Sequence, residues 1–114
     1  MNMNVRDCAT AQWKYIVATF DEAIRLHQQN RNDANRIRIS LLKMARQDAN
    51  ANLLFARVHI NPCQHHSKEE ALLAFIQKRL DICAELDNAN VRAIAQAELI
   101  RLSETVRQSQ AVSA

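Results

Sequence analysis

The stretch ANRIRISLLKMARQDANANLLFARVHI, residues 34–60, decides the fold. Ile37, Leu41, Leu42, Ala45, Ala49, Leu53, Ala56 and Ile60 recur at steps of three and four, the period that gathers side chains on one face of an α-helix. Met44, Ala51, Leu54, Phe55 and Val58 broaden that face. A stripe so wide implies contact with more than one neighbouring helix. Arg36, Lys43 and Arg46 share an arc on the opposite side, where solvent is expected. The helix should end before Asn61-Pro62, because proline disfavours helical geometry in the residue ahead of it.

Upstream, Trp13, Ile16, Val17, Phe20, Ala23, Ile24 and His27 repeat the same period and predict a helix over about 10–29. The polar run from Gln28 to Asp33 breaks it, and Asn32 or Asp33 is a natural N-cap for the helix that follows. Downstream, Ser67-Lys68-Glu69-Glu70 reads as a capping box, with hydroxyl and carboxylate each serving the other residue's backbone amide. Leu72, Leu73, Phe75, Ile76, Leu80, Cys83 and Leu86 then mark a third helix to about Asp87. Val91, Ile94, Ala95, Leu99, Leu102 and Val106 mark a fourth. One continuous helix over 67–107 would be about 60 Å long, more than a chain of this size can cover. Asn88 or Asn90 can cap a new helix, so a break at 87–90 is expected.

The composition agrees. The chain has 114 residues, no glycine and one proline, Pro62. Glycine supplies the positive-φ geometry of hairpin turns and phosphate loops, so strands and glycine-rich phosphate-binding loops are both excluded. Helix formers abound and β-branched residues never occur in a run longer than two. The expectation is an all-α fold: an antiparallel helical bundle of three long or four shorter helices, in one domain over 1–114, with about 1–9 and 108–114 flexible.

Chemistry is harder to find. His59, Cys63, His65 and His66 are candidate metal ligands, but their spacing fits no tetrahedral zinc motif, and adjacent histidines do not easily face one ion. A polar interhelical loop is the expected reading, with no metal and no cofactor. His27, near the end of an apolar stripe, reads as a partly buried histidine rather than a phosphotransfer residue. No Glu-x-x-His pair of the di-iron kind occurs. Cys63 and His65 lie too close in sequence for an ordinary catalytic pair, and no oxyanion hole is evident. Cys83 reads as a small buried hydrophobe and Cys8 as an exposed thiol in a polar arm. These observations weigh against an enzyme.

Three cysteines form no CxxC pair, and an odd count suits a reducing, cytoplasmic setting better than a disulfide framework. No apolar run approaches a membrane span, and no hydrophobic signal core opens the sequence. The net charge of +3 is uneven: residues 24–57 carry seven basic residues (Arg25, Arg31, Arg36, Arg38, Lys43, Arg46, Arg57) against Asp33 and Asp48. Such imbalance can attract an acidic partner. The expected function is a small protein-interaction module: an adaptor, a chaperone-like protein, an inhibitor or a regulatory subunit. Arg36, Lys43 and Arg46 are its candidate partner-binding residues. A homodimer is open, since small helical chains often complete their cores with a second copy. A nucleic-acid regulator using the same basic face is the second reading, weakened by low net charge and by aromatics that sit among apolar residues.

Overall fold

The computed structural model describes residues 5–58, 63 and 65–113, and among them there are four helices and no strand. They are α1 (Val5–Gln28), α2 (Asp33–Val58), α3 (Lys68–Cys83) and α4 (Ala89–Ser113). Contacts between helices run mainly α1–α2, α3–α4, α1–α3 and α2–α4. The result is an all-α four-helix bundle in which successive helices reverse direction, as the periodicity requires.

A chain without glycine must reverse by other means. No described residue has positive φ. The starts of α2, α3 and α4 instead use a side-chain oxygen. At α2 the Asn35 N–H donates to Asn32 Oδ1 at 2.8 Å. At α4 the Asn90 and Val91 N–H groups donate to Asn88 Oδ1 at 2.9 and 3.0 Å, so helices three and four are separate. At α3 the Glu70 N–H donates to Ser67 Oγ at 3.1 Å. The return half of this capping box is displaced by one residue: Glu70 Oε2 accepts from the His66 N–H at 3.1 Å rather than from Ser67. The α1–α2 turn has a further lock in buried Asn35, whose Nδ2 donates to the Asn30 carbonyl while its Oδ1 accepts from Arg38.

The helix ends differ from the expected ones. α1 starts at Val5, not near residue 10, so 5–9 are helical rather than a loose arm, and Ala9 is buried. α3 stops at Cys83, four residues early. The Glu85 and Leu86 N–H groups there bond to carbonyls only three residues back, which tightens the last turn. α4 continues to Ser113, so 108–113 are helical: Gln and Ala favour helix, and neither Gly nor Pro stops it. Ile60 and the expected stop at Asn61-Pro62 lie outside the described residues.

One core joins all four helices. Its most enclosed side chains are Ile16 and Phe20 from α1, Leu42 from α2, and Leu72 and Ile76 from α3. Ala45, Ala49 and Ala56 line the inner face of α2, where small side chains let α1 approach closely. Phe75 holds Trp13 and Phe20 edge-to-face, each at 5.6 Å between ring centroids, a geometry that adds attraction beyond area burial.

The cysteines correct the sequence reading. Cys8 and Cys63 form a disulfide across 55 positions, tying the start of α1 to the segment before α3. Gln12 Nε2 fastens the same junction by donating to the His65 carbonyl at 3.0 Å. Cys8 is therefore not an exposed thiol in a polar arm. Its place one helical turn before Gln12 brings it to the loop. Only Cys83 is free; it is buried, and that burial pushes its thiol pKa up.

Two measurements check these features. Ser67→Ala should lower stability by about 1 kcal/mol, read from denaturant midpoints, since it removes the acceptor at the start of α3. Without reductant, denatured protein should show one titratable thiol per chain and native protein none. With reductant it should show three, and the chain should lose about 4 kcal/mol of stability, the loop-closure value for a loop of this length.

Candidate functional site

The outer face of α2 is where the structure departs most from an ordinary core helix. Leu42, Ala45, Ala49, Leu53 and Ala56 turn inward and are buried. The residues that broaden the stripe do not: Met44 is 56 % exposed, Leu54 51 %, Phe55 51 % and Val58 70 %, with Ala51 exposed between them. Met44, Ala51 and Val58 are seven apart, two helical turns, so they stand in one row with Leu54 and Phe55 beside it. Among the described residues, the second neighbour implied by the wide stripe is only partly supplied.

The same outer face changes character toward the N-terminus of α2. Arg36, Ser40 and Lys43 precede Met44, and together with Gln28, Arg31 and Ile39 they border an open cleft of about 380 Å³ beside the α1–α2 turn. Arg36 approaches Asp33 only to 4.0 Å, and both are well exposed. An exposed pair at that distance neutralises little. The cleft is therefore a cationic hollow continuous with an apolar row.

Arg46 stands apart. Its Nε lies 2.9 Å from Asp21 Oδ1, so it braces α2 against α1 instead of joining Arg36 and Lys43. Arg31, from the turn, takes the third place in the cleft. Sequence spacing within α2 cannot reveal a residue that arrives from outside the helix.

The loop cluster separates as well. Cys63 is oxidised and offers no thiolate, His65 is partly buried and His66 is exposed. His59 lies outside the described residues. No group of three or more His, Cys, Asp or Glu among the described residues is placed to hold a metal ion. A second open cleft, of about 350 Å³, lies between α1 and α3 beside the disulfide, with Trp13, Ile16 and Phe75 among its lining residues.

One buried polar cluster was not read from the sequence. Glu98, 5 % exposed, hydrogen-bonds His27 Nε2 at 2.8 Å across from α1 and also pairs with Arg101 on its own helix. The signal was present: Glu98 sits between Ala95 and Leu102 at steps of three and four, a core position. Burial pushes its carboxyl pKa up, but hydrogen bonds from Arg101 and His27 outweigh this and hold it below the ordinary carboxylate range. His27 is thus the partly buried histidine expected, with a partner on α4.

Comparison of the chain with protein-family models, with curated proteins and with solved structures finds no match. Among the described residues no helix is long and apolar enough to cross a membrane.

Because the folded-state pKa of Glu98 is depressed, its ionised form stabilises the fold at neutral pH, and this contribution is lost as pH falls through the folded value. Glu98→Gln should cost about 2 kcal/mol at pH 7. The gap between variant and wild type should shrink below about pH 4, in unfolding curves measured across pH.

Proposed function

We propose that this chain is a protein-interaction module that docks a helix of another protein along the outer face of α2. The exposed row of Met44, Ala51, Leu54, Phe55 and Val58 carries the reading. A face with a two-turn repeat matches the side-chain spacing of an amphipathic helix laid alongside it. Scattered single apolar residues on a surface need no explanation, but Leu54, Phe55 and Val58 cluster on one face, with Met44 beyond exposed Gln47.

Magnitudes set the kind of binding. Completing the burial of four half-exposed side chains contributes about 5 kcal/mol in total. Association costs roughly 4–15 kcal/mol in lost freedom. The apolar row by itself therefore supports weak, reversible docking, as suits an adaptor, an inhibitor or a regulatory subunit. The role is non-catalytic.

The Cys8–Cys63 bond supports work in an oxidising compartment, since structural disulfides persist there and are uncommon in the cytosol. The expectation of a cytoplasmic setting draws in part on reading all three cysteines as thiols, and the disulfide removes that part of its support.

A fluorescently labelled synthetic helix with a leucine stripe and a neutral Gln/Ser polar face tests the docking surface. Anisotropy titration should give weak, saturable binding to the native chain, in the high-micromolar to millimolar range once the probe's own buried stripe is added. The double variant Leu54→Gln/Phe55→Gln should bind at least tenfold more weakly while remaining folded in unfolding curves. Equal binding by both proteins would refute the reading.

A further inference from the structure

The apolar row ends at Met44, and the next outward positions of α2 are Lys43, Ser40 and Arg36. Both halves share one helix face: Arg36, Ser40, Lys43, Met44, Ala51 and Val58 fall within a limited arc when successive residues are turned by 100°. Arg31 joins the basic end from the α1–α2 turn, while Arg46, on the same arc as Lys43, is drawn aside by Asp21. A ligand covering only the apolar row would leave the cleft's charge unanswered. One covering only the cleft would leave Met44, Leu54 and Val58 at least half exposed.

Resting on the docking reading above, we propose that the natural occupant is an amphipathic helix with one acidic end. Its apolar stripe lies over Met44 to Val58, and its carboxylates reach the Arg31/Arg36/Lys43 cleft. The spacing is set by α2. From Ala51, the middle of the apolar row, to Ser40, the middle of the basic end, is eleven residues, about 16 Å at 1.5 Å per residue. The partner's carboxylates therefore sit about three turns from the centre of its apolar stripe. Guanidinium groups suit carboxylates because they donate paired N–H groups in a plane. A second copy of the chain fits less well. Two α2 helices running parallel would set cation against cation, and an antiparallel pair would leave both basic ends without acidic partners.

Three labelled probes decide this: the neutral leucine-stripe helix, the same helix with three glutamates placed three turns from the stripe centre, and a duplex DNA of random sequence. The glutamate probe should bind the native chain at least tenfold tighter than the neutral one. That advantage should disappear in Arg36→Gln/Lys43→Gln, whose unfolding midpoint should match wild type, and should fall as salt rises from about 0.05 to 0.5 M. If the two helices bind equally and both respond to Leu54→Gln/Phe55→Gln, docking stands and the acidic end is wrong. If neither binds, both readings fall. DNA bound more tightly than either helix, and lost in Arg36→Gln/Lys43→Gln, would assign the cleft to phosphates and overturn the proposal. A concentration-dependent dimer in sedimentation that Leu54→Gln/Phe55→Gln dissociates would give the face to a second copy and overturn it equally.

Discussion

In a chain with no glycine, every reversal depends on a side-chain oxygen standing where flexible backbone would otherwise do the work. Asn32, Ser67 and Asn88 each accept an N–H from the first turn of the helix they precede. Such caps satisfy amides that a helix start leaves unpaired, and they fix where each helix begins. With the starts fixed, the apolar stripes of neighbouring helices are in register, and the alanines of α2 can meet α1 closely. The outer face of α2 is left to solvent by this arrangement. The candidate docking site follows from how the turns are made.

The helical fold, the break favoured before α4 and the cap at Ser67 were legible, with helix number narrowed to three or four and the α2 cap to Asn32 or Asp33, because each depends on local chemistry that a sequence displays directly. What needed coordinates was long-range. Cys8 and Cys63 are 55 positions apart, and no spacing rule joins them. Glu98 hid within an apolar stripe because a carboxylate is not counted as core until its partners, His27 and Arg101, are known. The breadth of the α2 stripe was visible, but whether a neighbour covers it depends on where α4 packs. The site itself was half legible: Arg36 and Lys43 came from helical spacing, Arg31 enters from a turn, and Arg46 is withdrawn by Asp21 from a different helix.

The two sides of α2 therefore obey different requirements. Inward, Ala45 and Ala49 must stay small, since a larger side chain would push α1 away. Outward, Met44 and Leu54 are about half exposed and tolerate change more readily than the inner alanines. A surface free to vary while its scaffold is fixed is suited to recognition.

The Cys8–Cys63 bond has a topological consequence. It closes α1, the turn and α2 into a covalent ring, with α3 and α4 hanging from it as a tail. A single backbone cut inside the ring would leave both fragments joined, whereas a cut anywhere beyond residue 63 would release a piece. Local opening is likewise divided, because the ring has far fewer unfolded shapes to visit than the tail. The helix proposed to meet a partner lies within the closed part.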